Sequence, residues 1–214
     1  MVELSHVSKR FGEEMVLKDV SLLLEDGKAY GIVGNNGSGK TVLMKCICGF
    51  LPVSAGVIRV DQKVVGTEID FPESLGVIIE TPGFLANLTG RKNLEILADL
   101  NRNISGGDIT RALCQVGLDP FLKKPVSKYS LGMRQRLGIA QAIMEKPKLL
   151  ILDEPFNGLD KYGVEEIRTL LKKQKELGRT ILLASHNSED IRILCDRVYE
   201  MDAGEIREVA VDGQ

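Results

Sequence analysis

The chain has 214 residues, 43% of them hydrophobic and 27% charged, and its formal net charge is −2. This composition is typical of a folded globular domain and excludes a largely disordered chain. The slight acidic excess argues against a nucleic-acid-binding protein, because that class usually carries a basic excess that neutralises phosphates. The apolar runs are too short to span a bilayer, and the first residues lack the pattern of a secretory signal. We therefore expect a cytoplasmic protein that meets a membrane only through a partner.

The N-terminal part of the chain is expected to form strands and turns around one helix. Two strand-like segments end at Gly12 and Gly27, and an apolar strand follows at 28–34. A helix is then predicted over 39–51. Alternating polar and apolar residues at 56–65 predict a further pair of strands around a turn.

The middle of the chain changes to a helical pattern. Apolar residues recur at helical spacing in three segments, which are 89–101, 105–118 and 133–145. The second of these segments begins with residues that commonly cap helices. We interpret the whole stretch, 85–145, as a helical lobe inserted into another domain.

After the helical lobe, apolar strands alternate with helices again. Strands are predicted at 148–155 and 180–185, and a long amphipathic helix between them begins at Asp160 as N-cap and ends before Gly178. A short helix at 189–195 and a hairpin at 197–209 complete the chain. Continuous apolar strands that alternate with helices predict a mostly parallel sheet covered on both faces.

The segment GNNGSGKT at 34–41 fits the phosphate-loop pattern G-x-x-x-x-G-K-[ST] and lies between a predicted strand and a predicted helix. Glycines allow the backbone to curl so that its N–H groups point at phosphates. Lys40 supplies a positive charge to the β- and γ-phosphates, and the Thr41 hydroxyl can bind Mg²⁺. The alternative, a glycine-rich turn with a chance lysine, does not account for this context.

Two adjacent acids follow the apolar strand LLIL at 149–152. Asp153 lies at the carboxyl end of that strand, where ligands bind in open parallel sheets, and it is the natural second partner of the Mg²⁺. Glu154 can accept a proton from the attacking water. An ordinary exit from strand to loop is the alternative interpretation of these two acids.

A histidine follows the next apolar strand. His186 can donate a hydrogen bond to the γ-phosphate from this position. The alternative is that the same side chain caps the helix that follows.

The segment YSLGM at 129–133 stands at the start of the third predicted helix. Ser130 and the backbone N–H groups near Gly132 form a potential anion site at that helix start. The phosphate loop already accounts for one nucleotide in this chain. A second anion site therefore predicts contact with a nucleotide held by another subunit.

With these motifs in this order, the chain resembles the ATPase subunits of ABC (ATP-binding cassette) transporters over essentially all of its residues. The matching motifs are the phosphate loop 34–41, the signature 129–133, the acidic strand 149–154, the D-loop NGLD 157–160 and the switch histidine His186. Phe11, just before Gly12, matches the aromatic residue that stacks on adenine in this family; on its own it would be interpreted as a core residue at a strand end.

The resemblance implies an α/β fold that has a P-loop NTPase core with a mostly parallel sheet, an N-terminal antiparallel β subdomain and an inserted α-helical subdomain. It implies one ABC ATPase domain over 1–214, with the nucleotide-binding core and β subdomain in 1–84 and 146–214 and the helical subdomain in 85–145. Two such subunits are expected to associate head to tail around two ATP molecules, on the inner face of the cell membrane, and to drive separate transmembrane permease subunits.

The resemblance also implies which residues bind ATP and Mg²⁺. The nucleotide contacts expected from the motifs are Phe11, Gly34, Asn35, Asn36, Gly37, Ser38, Gly39, Lys40, Thr41, Val42, Ser130, Gly132 and Asp160. The expected metal ligands are Thr41, Glu80 and Asp153. The expected catalytic residues are Glu154, His186 and Lys40.

The chain departs from the family pattern in two places. The usual signature is L-S-G-G-Q, whereas Leu131 and Met133 stand at its third and fifth positions here. Bulk is tolerable at Leu131 if its side chain points away from the nucleotide and its φ is negative. Glu80 replaces the usual glutamine of the loop that joins core and helical lobe. Both features resemble exporters of the bacterial drug and antimicrobial-peptide resistance type.

Two other functions share some of these motifs. A soluble single-cassette ABC ATPase that acts in cofactor assembly is the main alternative to a transporter subunit. An unrelated phosphate-loop kinase would require the signature to be a coincidence.

Overall fold

The computed structural model describes residues 1–80, 83–100 and 104–210 of the chain. Within these ranges there are ten strands and six α-helices. The strands are β1 Val2–Phe11, β2 Glu14–Leu24, β3 Ala29–Val33, β4 Ala55–Val60, β5 Lys63–Val64, β6 Leu75–Ile78, β7 Leu149–Asp153, β8 Thr180–Ala184, β9 Arg197–Asp202 and β10 Glu205–Val209. The helices are α1 Lys40–Ile47, α2 Gly90–Leu100, α3 Gly106–Gln115, α4 Leu131–Met144, α5 Lys161–Glu176 and α6 Ser188–Leu194.

The larger of two sheets has six strands in the order β10-β9-β3-β8-β7-β6. All neighbouring pairs are parallel except β10 and β9, which form the antiparallel hairpin expected at the end of the chain. The mostly parallel sheet and the α/β fold predicted from the sequence are therefore confirmed.

Strand β7 shows why this sheet needs cover on both faces. Leu150 and Leu152 belong to one buried apolar cluster, which includes residues of the helices α3 to α6. Leu149 and Ile151 belong to a second cluster, which includes α1 and the N-terminal strands. Side chains alternate between the two faces of a strand, so both sets are buried and the strand is a continuous apolar run.

The smaller sheet has the strand order β2-β1-β4-β5 and is antiparallel throughout. The turn between β4 and β5 contains Asp61 and Gln62 at φ of 48° and 68°. Positive φ at both central residues is the geometry of a tight hairpin turn of type I′. The N-terminal antiparallel subdomain expected from the sequence is confirmed.

Three α-helices lie among the described residues between β6 and β7. Helix α3 contacts both α2 and α4, and α4 also packs on β6. A capping box stabilises the start of α3, because the Ser105 side chain accepts from the Asp108 N–H and the Asp108 side chain accepts from the Ser105 N–H. Asn101, the last residue of the first helix expected here, lies outside the described residues.

Two elements differ from the sequence prediction. The strand β6 was not predicted, because no strand or helix was assigned to residues 66–84 from the sequence. Helix α1 ends at Ile47 rather than near residue 51. Gly49 adopts a φ of +81°, which is incompatible with the continuation of the helix.

The parallel sheet places the functional residues together at the carboxyl ends of its strands. Strands β3, β7 and β8 end at Val33, Asp153 and Ala184, and the phosphate loop, Glu154 and His186 follow directly. Because β8 lies between β3 and β7 in the sheet, these three segments are neighbours. Ligands bind at the carboxyl ends of strands in open sheets of this kind.

Candidate nucleotide-binding and catalytic site

The phosphate loop joins β3 to α1 in a conformation that requires glycine. Gly34, Gly37 and Gly39 have φ values of 147°, 81° and 110°. A Cβ atom on Gly34 would lie 2.1 Å from the carbonyl oxygen of Met201, so no larger residue fits there. The loop ends at the N-terminus of α1, where backbone N–H groups favour an anion.

Lys40 folds back over the loop that precedes it. Its Nζ donates hydrogen bonds to the carbonyl oxygens of Gly34, at 2.7 Å, and Asn35, at 3.0 Å. The Ser38 hydroxyl oxygen is buried and forms no hydrogen bond with any described residue. A buried polar atom without a partner is costly, so this oxygen fits a site completed by a polar ligand such as phosphate.

Two of the three expected magnesium ligands lie side by side although they are far apart in the sequence. The Thr41 Oγ1 donates to the Asp153 Oδ2 at 2.6 Å, across 112 residues of sequence. Mg²⁺ usually takes one or two protein oxygens and completes its shell with phosphate and water. Thr41 and Asp153 offer that small oxygen set. In the described part of the chain there is no cluster of three or more His, Cys, Asp or Glu residues that could hold a metal alone.

A cavity of about 330 Å³ brings the phosphate loop and the acidic strand together. Its lining comprises Val16, Asn36, Gly37, Gly39, Lys40, Thr41, Val42, Asp153 and Glu154. Val16 was not predicted as a site residue. It is an apolar residue in a strand, and nothing in the sequence distinguishes it from its apolar neighbours.

Glu154 adopts a left-handed backbone conformation with φ of +50°. Its N–H donates to the Ala184 carbonyl at 2.9 Å, and its carbonyl accepts from the Gln135 side chain at 3.2 Å. The Glu154 Oε2 lies 2.7 Å from the His186 Nδ1. Non-glycine residues with positive φ are uncommon and often mark functional sites, and here the conformation is fixed from two sides.

The alternative interpretation of His186 as a helix cap is wrong. Asn187 is the N-cap of α6, and its side chain accepts from the Glu189 N–H. The His186 side chain is 73% exposed and contacts Glu154 instead.

A buried ionic network holds the segment that carries His186. The Arg168 guanidinium donates to the Asp190 Oδ1 from Nε, at 2.8 Å, and from Nη2, at 2.6 Å. The Asp190 Oδ2 lies 3.2 Å from the Ser185 hydroxyl, and Ser185 precedes His186 in the chain. Sequence reasoning missed this network, because the charged residues in α5 and α6 have the pattern of ordinary solvated helix faces.

Ser130 is the N-cap of α4, and its hydroxyl accepts from the Met133 N–H at 3.2 Å. Leu131 is the first residue of that helix and does not have a positive φ, which confirms the prediction for its backbone. The Leu131 side chain packs on the D-loop, since a Cβ on Gly158 would lie 2.4 Å from the Leu131 Cγ. The leucine is therefore accommodated by a glycine of the same subunit.

The Glu80 side chain forms an ion pair with a lysine. Its Oε1 accepts from the Lys45 Nζ at 2.6 Å, and its side chain is 64% exposed. Glu80 also lines a second cavity, of about 420 Å³, together with Asp153 and Glu154. The expected third metal ligand thus shares a cavity with Asp153 but is paired with a cation.

Two other expected nucleotide contacts lie outside the phosphate-loop cavity. Phe11 ends β1 with 44% of its surface exposed, so the alternative of a core residue is wrong. The Lys9 Nζ lies 4.8 Å from the centre of its ring. Asp160 caps α5 as predicted, and its Oδ1 accepts from the Gly163 N–H at 2.8 Å.

A phosphate loop between strand and helix, beside an acidic strand end and a glutamate–histidine pair, defines a P-loop ATPase. The sequence pattern of the ABC transporter family matches residues 17–157. The chain belongs to this family. It is the ATP-binding subunit, an enzyme that hydrolyses ATP with Mg²⁺ as cofactor.

Similar proteins agree with this assignment. The chain is 43% identical to the bacitracin transport ATP-binding protein BcrA of Enterococcus faecalis over 210 residues, which are 97% of this chain and 68% of that protein. It is 35% identical to the lantibiotic transport ATP-binding protein SrtF of Streptococcus pyogenes over 206 residues, 96% of this chain and 89% of that protein. The dimeric post-hydrolysis state of the ATP-binding cassette MJ0796, bound to ADP and Pi, superposes with a TM-score of 0.89 at 25% identity, over 100% of both chains.

Proposed function

We propose that this ATPase powers the export of peptide antibiotics through separate transmembrane permease subunits. Its relatives BcrA and SrtF are ATP-binding proteins of bacitracin and lantibiotic transport, which supports this class of substrate. No helix in 1–80, 83–100 or 104–210 is long and apolar enough to cross a membrane. The path for the substrate would come from the permease, and the chain would bind it at the inner face of the cell membrane.

One observation carries the mechanism, namely that the signature residues do not line the phosphate-loop cavity of their own subunit, although one of them, Leu131, lines the neighbouring cavity with Asp153 and Glu154. The phosphate-loop cavity has Lys40 and Thr41 in its lining but neither Ser130 nor Gly132. Ser130 instead stands at the start of α4, where the helix dipole favours an anion. We infer that two subunits associate head to tail, so that each ATP touches the phosphate loop of one copy and the signature of the other.

The proposed roles follow the chemistry of each side chain. Lys40 would neutralise the β- and γ-phosphates, and its present carbonyl partners would be exchanged for phosphate oxygens. Glu154 would accept the proton of the attacking water. His186, in contact with Glu154, would donate to the γ-phosphate. Thr41 and Asp153 would hold Mg²⁺, which neutralises charge on the transferred phosphoryl group.

The remaining assignments extend the same proposal. Phosphate contacts would come from the loop residues Gly34, Asn35, Asn36, Gly37, Ser38, Gly39 and Val42. Phe11 would stack on adenine through its exposed ring, and Asp160 would face the nucleotide from the D-loop. Glu80 would reach Mg²⁺ only after release from Lys45.

The domain boundaries remain part of the proposal. Residues 1–84 and 146–214 would form the nucleotide-binding core with its β subdomain, and 85–145 the helical subdomain. The three helices α2, α3 and α4 between β6 and β7 support this division.

The experiment is an affinity capture of tagged Glu154→Gln protein, with ATP and Mg²⁺, from detergent-solubilised membranes of the source cells. This substitution is expected to trap the ATP-bound dimer, which binds the permease in the closed state. A Lys40→Ala variant, which should bind ATP weakly, is the matched control. The expected result is a multi-spanning membrane protein recovered with Glu154→Gln and depleted with Lys40→Ala.

The capture also separates this function from its alternative. Recovery of soluble proteins alone, with the ATP dimer intact, would favour a soluble single-cassette ATPase of cofactor assembly. If a permease is recovered, its co-expression with the wild-type chain should raise the concentration of bacitracin or of a lantibiotic that stops growth. Unchanged sensitivity to both would contradict the proposed substrate class.

A further inference from the structure

A cavity of about 430 Å³ lies at the end of the parallel sheet opposite the ATP site. Lys148, which precedes β7, lies in its wall, whereas Asp153 ends that strand at the nucleotide edge. A strand rises about 3.3 Å per residue, so about 16 Å separates the two positions. The cavity is therefore independent of the catalytic residues described above.

The cavity has a cationic rim. Four basic residues and a single carboxylate occur among the described residues that line it, and they are Arg111, Lys146, Lys148, Arg179 and Asp108. Asp108 is already bound by Arg111 and Lys146, whose terminal nitrogens each lie 2.8 Å from its Oδ1. The rim thus keeps a positive excess after its internal ion pairs are formed.

Two of these cations lie beyond salt-bridge distance of every acidic side chain in the described ranges, and they are Arg179 and Lys148. Lys63 and, after it, Lys148 lower the pKa of the Glu73 carboxyl, so Lys148 lies near that group. Arg179 instead has a neutral partner. Arg179 is partly buried and donates to the side-chain oxygen of Gln174, which is itself 1% exposed. Burial lowers the pKa of Arg179, because the charged guanidinium loses water without gaining an anion. A charge in this setting is stabilised by an anionic ligand.

The floor of the cavity is apolar. It is formed by Ile143 and Met144 at the end of α4 and by Pro147 in the connection to β7. Leu177 adds an apolar side chain at the rim with 62% of its surface exposed. The floor residues are themselves buried, so a small inorganic anion would leave mainly the exposed Leu177 side chain in contact with water. A ligand with an apolar body would cover it and gain hydrophobic stabilisation.

We infer that this cavity binds an amphipathic organic anion, with a phosphate or carboxylate group on the cations Arg179 and Lys148 and an apolar body over Ile143, Met144 and Leu177. Helices α3 and α4 form one side of the cavity, and α5 with the starts of β7 and β8 forms the other. A bound ligand would therefore bridge the helical segment and the sheet.

Octyl phosphate, below its micelle concentration, is the probe, and its binding is measured by titration calorimetry. Saturating ADP and Mg²⁺ fill the nucleotide site beforehand. We expect one site, with affinity reduced roughly tenfold or more by Arg179→Gln and by Lys148→Gln, because each removes a charge-assisted hydrogen bond. Lys172→Gln, an exposed lysine of α5 outside the cavity, is the matched control and should leave the affinity unchanged.

A second arm tests the apolar part of the ligand. Inorganic phosphate should bind at least about tenfold more weakly than octyl phosphate, and Leu177→Ser should weaken octyl phosphate alone. Equal affinity of all variants, no binding, or equal binding of the two phosphates would overturn the inference. Lys148 is exposed and outside the core, so its variant remains informative if Arg179→Gln does not fold.

Discussion

The carboxylate of Glu154 and the imidazole of His186 lie 2.7 Å apart at the ends of adjacent strands. Glu154 is 24% exposed and His186 is 73% exposed, so the pair faces solvent at the rim of the phosphate-loop cavity. Each side chain limits the rotamers of the other. This arrangement holds the proposed base and the proposed γ-phosphate donor in position before the reaction begins.

Glu154→Gln should lower the ATPase rate by about 10²–10⁴-fold, because a glutamine cannot accept the proton of the attacking water. The affinity for ATP should stay close to that of the wild type. The rate of phosphate release measures the ATPase activity, and equilibrium nucleotide binding measures the affinity for ATP. Glu176→Gln, at the exposed end of α5, is the control and should be fully active. Turnover of Glu154→Gln near the wild-type rate would show that another group is the base.

Thr41→Val should raise the Mg²⁺ concentration that gives half-maximal ATPase activity by about tenfold or more, because valine lacks the metal-binding oxygen. Thr41→Ser keeps the hydroxyl that donates to Asp153 and should behave like the wild type. The measurement is ATPase rate against Mg²⁺ at fixed ATP. Identical Mg²⁺ dependence of the two variants would exclude Thr41 as a ligand.

Arg168→Met should reduce the free energy of unfolding by about 3–5 kcal/mol, because Asp190 would remain buried without its cation. Arg192→Met, on the exposed face of α6, should change it by no more than about 0.5 kcal/mol. Urea unfolding followed by circular dichroism measures both. Adding Asp190→Leu to Arg168→Met should restore part of the loss, and a further loss would contradict the assigned cause.

Thiol reactivity should distinguish one cysteine from the other three. Burial raises the pKa of Cys46 to about 11 and those of Cys48 and Cys195 to about 12. These thiols stay protonated and inaccessible at pH 8, whereas Cys114 is exposed. Titration of the folded protein with a disulfide reagent should detect one rapidly reacting thiol, and Cys114→Ser should abolish it. A second rapid thiol would show that a buried site opens.

The motifs that follow directly from local chemistry were predictable from the sequence. The phosphate loop, the two acids at the end of β7 and the cap Asp160 have fixed spacings or fixed places at element ends. The parallel sheet followed from apolar runs that alternate with helices. Pairing of Thr41 with Asp153 could be expected because the carboxyl ends of parallel strands meet at one edge.

What the sequence could not indicate depends on contacts between distant residues. The ion pair between Glu80 and Lys45 joins a loop to a helix 35 residues earlier. Packing of Leu131 on Gly158 joins the signature to the D-loop. The four-residue strand β6 is too short for a periodic signal and forms through its pairing with β7.

The most direct test of the shared ATP site is the ATPase rate of a mixture of Glu154→Gln and Ser130→Glu proteins. Glu154→Gln alone lacks the base in both sites of its dimer, and Ser130→Glu alone lacks a working signature in both sites. Each variant alone should therefore be inactive. In an equimolar mixture of symmetric head-to-tail dimers, half of all dimers contain one chain of each variant. Each such dimer has one intact site out of two, so about a quarter of the wild-type rate should return. A mixture as inactive as its components would contradict a site built from two subunits.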